Sequence, residues 1–377
     1  HDPAPGANLT LHLDINLQRT AYEALGEQRG AVVVIDPLTG GIMALVSTPG
    51  FDTNLFVNGI SSADYSALRD SLDVPLFNRA VQGQYPPGST VKPMMGLAGL
   101  ESGLVTTETT VPDPGWYRLP GDSRRYRDWI LKIRGTGHAP QVALHMAIVE
   151  SCDVYFYDLA RRLTIDRMYD YLHPFGLGER TMVDTTSERR GVLPSTRWKR
   201  EAMAQPWYPG ETLSAGIGQG YVLTTPMQLA VATSALATRG ERRSPRLVRS
   251  VDGEPVTAPL LPPVAAKPEH WDAVHAAMRD VVHGERGSAR KIGVDIPYMM
   301  AGKTGTAQVI GIAQNAVYKE EEVAERHRNH GLFIAFAPLD APTIAVAVLV
   351  ENGGGSSAAY PIAREVIDTW LLGDGTG

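Results

Sequence analysis

One cysteine, Cys152, is all that 377 residues provide, so no disulfide can close within the chain. Long hydrophobic runs are lacking too: nothing approaches 18 consecutive apolar residues, and no stretch reads as a membrane-spanning helix. Excess positive charge is absent. Lys and Arg number 35 against 41 Asp and Glu, a formal charge of -6, and without a lysine-arginine stripe this argues against a nucleic-acid partner. No secretory signal is visible, and 1–6 reads as a linker. What remains is 43% hydrophobic and 20% charged, ordinary for a globular protein. The length suits one large α/β domain with insertions.

The stretch with the most chemistry is Pro86-Pro87-Gly88-Ser89-Thr90-Val91-Lys92. The prolines cannot continue an upstream helix, and Gly88 permits an abrupt turn. A helix beginning at Ser89 places Lys92 on the same face, a nucleophile beside a base. A lone S-x-x-K also occurs on ordinary surface helices. Here Met94, Met95, Leu97, Ala98 and Leu100 follow, too apolar for a surface, so Ser89 reads as the mouth of a cleft. Pro93 fits, because first-turn amides have no intrahelical partner to lose.

Along the chain, Leu9 to Asp14 alternates like a short strand and Ile15 to Gln28 has helical spacing. Gly30 to Asp36 and Ile42 to Val46 form a hairpin around Pro37–Gly41. Ser61 to Leu72 reads as a short capped helix, and 112–140 as an extended insertion. Helical pattern resumes near Gln141, breaks at Ser151-Cys152-Asp153, and continues from Val154 to Leu163. Thr181 to Tyr208 reads as a solvated loop carrying Arg197, Lys199 and Arg200. Ser214 to Gly220 is a glycine-rich turn without the spacing of a nucleotide loop. Thr225 caps a helix with Pro226 first, running to Ala237, and another runs from Pro268 to His283. Strands follow at Tyr298–Val309, Gly331–Ala337 and Thr343–Val350. The charged stretch from Tyr318 to His330 reads as a mobile extension, with His327 and His330 solvated. A closing helix, Tyr360 to Leu372, is expected beside the N-terminal one.

Ser89-x-x-Lys92, Ser151-x-Asp153 and Lys303-Thr304-Gly305 occur in the order that marks penicilloyl serine transferases. Each motif is weak alone; three in order, at a helix start, a helix break and a sheet strand, make coincidence a poor explanation. With "NRAVQGQYPPGSTVKP", "IVESCDVYFYDLA" and "AGKTGTAQV", the chain resembles the class B penicillin-binding proteins, most closely the penicillin-binding protein 2 branch, over nearly its whole length. One departure is that the middle motif, usually S-x-N, ends here in Asp153, which cannot donate a hydrogen bond unless protonated.

The resemblance implies an α+β, β-lactamase-like fold: an antiparallel sheet flanked by N- and C-terminal helices (about 1–60 and 285–377) and a mostly helical subdomain (about 61–284). Residues 1–377 would form one transpeptidase domain, without the family's membrane helix and pedestal. It would be the periplasmic part of a protein anchored in a Gram-negative inner membrane. It also implies a serine D,D-transpeptidase that cross-links peptidoglycan stem peptides through an acyl-enzyme and is a target of β-lactam antibiotics. Ser89 attacks the penultimate D-alanine carbonyl. Lys92 takes its proton if neutral, which burial and Lys303 favour, and Ser151 relays it, with Asp153 orienting the group. Lys303, Thr304, Gly305 and Thr306 would hold the substrate, the Lys303 charge and the threonine hydroxyls meeting its carboxylate. Backbone amides of Ser89 and Thr306 would make the oxyanion hole. Expected partners are the stem peptide ending in D-Ala-D-Ala, β-lactams, an elongation glycosyltransferase and shape-determining proteins. No cofactor is needed for catalysis. A structural zinc held by Asp113, Asp128, His138 and Cys152, an acceptable tetrahedral set, is implied for the insertion, whereas buried apolar filler is the plainer reading of Cys152.

Two other readings share these motifs. A serine β-lactamase would need a group that activates water, and no clear counterpart of the class A glutamate is found. A β-lactam sensor domain would acylate without transferring.

Overall fold

Gly30–Ile35 is an unbroken apolar run, and an unbroken run only four to eight residues long fits a strand covered on both faces. Every residue of it is buried. The computed structural model describes residues 6–310 and 323–373. Positions 1–5 of the expected linker at 1–6 and positions 318–322 of the charged stretch lie outside these. Five antiparallel strands form the central sheet: β1 Gly30–Ile35, β2 Ile42–Thr48, β3 Ala301–Ala307, β4 His330–Ala337 and β5 Ile344–Val350. Their order is β3-β4-β5-β1-β2, so β3 is an edge strand. An edge leaves one row of backbone groups unpaired by the sheet.

The helices that matter for the site are, in chain order, α1 Ile15–Leu25, α2 Lys92–Glu101, α3 Leu144–Val149, α4 Asp153–Leu163, α5 Thr196–Met203, α6 Pro209–Gly216, α7 Pro226–Ala237, α8 Pro268–His283 and α9 Tyr360–Leu372. The two end helices, α1 and α9, pack against each other and the sheet, as the sequence leads one to expect. Helix α7 covers β5, β1 and β4, and α8 covers β3. The start of α7 follows its sequence signal: Thr225 Oγ1 accepts from the Gln228 N–H while Gln228 Oε1 accepts from the Thr225 N–H. A contiguous apolar core runs from Leu17 of α1 through the sheet into α2, α3 and α4.

Several expectations are corrected. The short strand expected from Leu9 to Asp14 forms over Leu9–Leu11 only, and it pairs with Val248–Val251 outside the main sheet. Gln141–Ala143 is a short strand against Thr110–Pro112, and the helix begins only at Leu144. The stretch from 181 to 208 is not all loop. Ser195 caps α5 by accepting from the Trp198 N–H, and this puts Lys199 inside, with no solvent exposure. Its ammonium pairs with Glu211 and faces the rings of Tyr208, Tyr221 and Trp207 at 4.6, 5.3 and 5.7 Å. Glycine-rich 214–220 contributes the end of α6 before it turns. His327 is exposed as expected, but His330 is half-buried at the start of β4, where its Nδ1 accepts from the Asn352 N–H.

Candidate active site

Pro86 and Pro87 lead into a single 3₁₀ turn, Gly88–Val91, that runs directly into α2. Gly88 is required here. Its φ is +54°, and a Cβ would stand 2.5 Å from the Thr306 carbonyl oxygen on β3. The turn bearing Ser89 is thus pressed against the outer edge of the sheet. Gly305 serves the same contact, since its Cβ would meet Thr90 Cγ2 at 2.7 Å and the Pro87 oxygen at 3.1 Å. Ser89 itself is half-buried, while Lys92 and the residues to Leu100 are buried on all sides of α2.

Lys92 Nζ donates to Asp153 Oδ1 at 2.7 Å, to the Ser151 carbonyl at 2.9 Å and to Ser151 Oγ at 3.3 Å. Lys303 Nζ, reaching from β3, donates to the same Ser151 Oγ at 2.9 Å and to the Thr304 carbonyl at 3.0 Å. One hydroxyl therefore joins two fully buried lysines. Burial, and then the charge of Lys92, hold the Lys303 ammonium well below the usual lysine range. Burial also lifts the Asp153 carboxyl, opposed by Lys92. The break between α3 and α4 aims Ser151: its φ of +61° lies in the left-handed region that a serine rarely occupies. The Trp129 indole N–H fixes the Ser151 carbonyl from the insertion side at 3.1 Å.

Cys152, first in line to cap α4, makes no cap hydrogen bond. Asp128 supplies the cap from 25 residues upstream, accepting from the N–H groups of Asp153 at 2.6 Å and Val154 at 3.2 Å. Asp113, Asp128, His138 and Cys152 then meet, each buried, with ligand atoms all within 4.8 Å of one another. His138 Nε2 lies 3.2 Å from Asp128 Oδ1, and Cys152 Sγ lies 3.6 Å from Asp113 Oδ2. Those separations suit the edges of a zinc tetrahedron with bonds of about 2.0–2.3 Å. Glu150 Oε2 stands 3.4 Å from the other imidazole nitrogen and is paired with Arg286, the position from which a carboxylate orients a ligating histidine. Burial pushes the Cys152 thiol well up, and a metal would have to displace that proton.

All twelve residues expected at the site fall into this one region: Ser89, Lys92, Ser151 and Asp153 about the serine turn, Lys303 to Thr306 along β3, and the four ligand candidates behind Ser151. Three neighbours escaped the sequence reading. Ser288 Oγ lies 2.8 Å from Thr304 Oγ1. Trp129, in the insertion, has no local pattern that marks its contact with the Ser151 carbonyl. Gln219 Nε2 donates to the Thr306 carbonyl at 2.9 Å, and its Oε1 accepts from the Gln308 N–H at 3.4 Å. Gly218 and Gly220, both at φ +70°, were the available signal for Gln219, because such glycines let one backbone approach another. Gly218 does so against Gly88.

A serine turn set against an edge strand, with two buried lysines and a serine behind it, is the arrangement of the penicilloyl serine transferase fold. Residues 30–368 match the penicillin binding protein transpeptidase domain, and the chain belongs to that family. It is 47% identical over 376 residues to the peptidoglycan D,D-transpeptidase MrdA of Acinetobacter baumannii, covering 98% of this chain and 55% of that protein. The chain thus spans little more than half the length of that relative. The crystal structure of Pseudomonas aeruginosa PBP2 in complex with WCK 5153 superposes with a TM-score of 0.90 at 46% identity, over 99% of this chain and 81% of that one. PBP2 of Helicobacter pylori, in its complex with MreC, superposes with a TM-score of 0.86 at 32% identity, over 97% and 64% of the two chains.

Proposed function

We propose that this chain is the transpeptidase unit of a peptidoglycan D,D-transpeptidase of the penicillin-binding protein 2 branch. The carrying observation is the shared contact of Lys92 and Lys303 with Ser151 Oγ beside the Ser89 turn. Ser89 Oγ attacks the carbonyl of the penultimate D-alanine, and Lys92 takes the proton when it stands unprotonated beside Asp153. The carbonyl electrons move to oxygen, which the N–H groups of Ser89 and Thr306 receive. As the C–N bond breaks, the proton passes through Ser151 Oγ to the departing D-alanine amine. An amine from a neighbouring stem peptide then attacks the ester, and Ser89 recovers its proton by the same route. Lys303, Thr304 and Thr306 take the terminal carboxylate, Gly305 lets the serine turn close on the strand, and Asp153 orients Lys92. β-Lactams would acylate Ser89 and leave slowly.

Asp113, Asp128, His138 and Cys152 would hold a structural zinc that pins the insertion to the start of α4; the two carboxylates, imidazole and thiolate are a donor set such an ion accepts. The division into a sheet subdomain (about 1–60 and 285–377) and a helical one (about 61–284) belongs to the same reading. So do a periplasmic place on an inner-membrane anchor, an elongation glycosyltransferase as partner, and a shape-determining partner of the kind named with the Helicobacter pylori relative.

The test is transfer. With a thioester or pentapeptide donor and an amino-acid acceptor, the protein should release the leaving group and form the acyl-transfer product, and Ser89→Ala should form none. Acylation by penicillin without transfer to any acceptor would favour a sensor domain, and rapid hydrolysis of a chromogenic β-lactam a lactamase.

A further inference from the structure

The hairpin inside the insertion, Trp116–Tyr117 paired with Tyr126–Arg127, and the start of α6 line an open cavity of about 810 Å³. This volume is of the size that holds a small ligand or a peptide segment. The cavity is built rather than left over. Leu119, which lines it, forms with Tyr157 and Leu213 a small apolar cluster separate from the main core. Leu119 comes from the hairpin, Leu213 from α6, and Tyr157 from α4, one turn beyond Asp153. One wall consists of Tyr208, Glu211 and Tyr221, and these are the groups that surround buried Lys199. Lys199 thereby fixes the wall, a costly use of a buried charge that the catalytic groups do not require.

The hairpin is net positive, with Arg118, Arg124, Arg125 and Arg127 against Asp122. Two carboxylates stand beside the two arginines of the cavity lining: Glu211 is paired with Lys199, and Asp122 accepts from the backbone N–H of Arg124, while Arg161 also stands 3.6 Å from Asp158. Arg124 lies over the Tyr126 ring at 5.0 Å, and Arg161 donates to the Tyr117 hydroxyl at 2.7 Å; both arginines line the cavity. Exposed Arg118, Arg125 and Arg127 stand on the same hairpin, in a chain whose overall charge is -6.

One loop links the cavity wall to the serine turn. The loop from Gly218, which touches Gly88 beside the nucleophile, leads through Gln219 on Thr306 to Gly220 and Tyr221 in the cavity wall.

We propose that this cavity is a second subsite for the donor stem peptide, receiving a carboxylate that lies upstream of the terminal D-Ala-D-Ala, with Arg124 and Arg161 as its cationic contacts and Tyr208 and Tyr221 as its packing surface. The proposal rests on the transpeptidase reading above. Lys199 acts as a positioning residue for the wall.

Two probes test it: a stem pentapeptide with free upstream carboxylates, and the same peptide with those carboxylates amidated and the terminal one left free. The reading is the peptide concentration that halves the rate of benzylpenicillin acylation, each variant referred to its own rate without peptide. The parent protein should prefer the free-carboxylate peptide by about tenfold, the scale of one charge-assisted contact. Arg124→Glu should erase that preference, and Arg118→Glu, the same charge change on the hairpin outside the cavity, should keep it. A peptide that does not compete overturns the subsite, as does equal competition by both peptides, a preference that survives Arg124→Glu, or an equal loss in Arg118→Glu. Failure of the parent to be acylated by benzylpenicillin would remove the transpeptidase reading itself, and the subsite with it.

Discussion

Lys303 Nζ stands 2.9 Å from Ser151 Oγ, with no solvent on either side of the lysine. A buried ammonium whose burial and neighbouring Lys92 oppose its charge is kept at the expense of stability. Lys303→Met should therefore unfold at a temperature no lower than the parent at neutral pH, while its acylation by benzylpenicillin falls at least a hundredfold, on the order of one lost electrostatic contact in the transition state. The pH trend follows in sign. The folded-state value for Lys303 lies below its unfolded value of 10.5, so between the two the unfolded chain binds more protons and the stability of the parent rises with pH. The stability advantage of Lys303→Met should shrink as pH climbs through that interval, which thermal melts of both proteins across the range would record.

Ser151→Ala removes the one hydroxyl common to both lysines. Its loss should lower the benzylpenicillin acylation rate by about 10²–10⁴, the span of a positioned proton-transfer group. Stopped-flow acylation measures this, and unchanged melting would separate the effect from damage to the fold.

Asp153→Asn isolates the departure from the common motif. The carboxylate is the acidic partner of buried Lys92 at 2.7 Å, and breaking a buried pair typically costs about 3–5 kcal/mol. The variant should melt well below the parent, with denaturant titration giving the size of the loss. An unchanged midpoint would mean that Asp153 is not needed as a counter-charge.

Gly88→Ala should fold but acylate poorly. The residue holds φ at +54°, and the added methyl would stand 2.5 Å from the Thr306 oxygen. Left-handed strain of about 1–2 kcal/mol is the smaller part; moving the serine turn away from β3 separates Ser89 from Thr306. The acylation rate should drop further than stability does.

For the ligand cluster, protein prepared without chelator should carry one zinc per chain by elemental analysis, and chelation should lower its melting temperature. Cys152→Ser should lose the metal and the chelator sensitivity together. A metal-free parent that melts like Cys152→Ser would reduce Cys152 to core filler.

Much of this was legible in residue order, because local rules set it. The Pro-Pro-Gly turn, the apolar run after Lys92 and the Thr225–Pro226 helix start each depend on neighbours within a few positions, and each stands where the pattern places it. Lys199 was misread for the opposite reason. Its burial comes from Trp207, Tyr208, Glu211 and Tyr221, which chain folding brings around it, and no local pattern distinguishes it from its solvated neighbours Arg197 and Arg200. The short strand at Gln141–Ala143 is likewise set by its partner Thr110–Pro112. The ligand set came from resemblance. The physical reason it holds together, Asp128 capping α4 where Cys152 cannot, became visible only with the fold.

The most direct test is intact-protein mass spectrometry after incubation with benzylpenicillin, followed by mapping of the modified peptide. The account predicts one persistent adduct per chain on the peptide containing Ser89, absent from Ser89→Ala. No adduct on the parent, or the same adduct on Ser89→Ala, would contradict it.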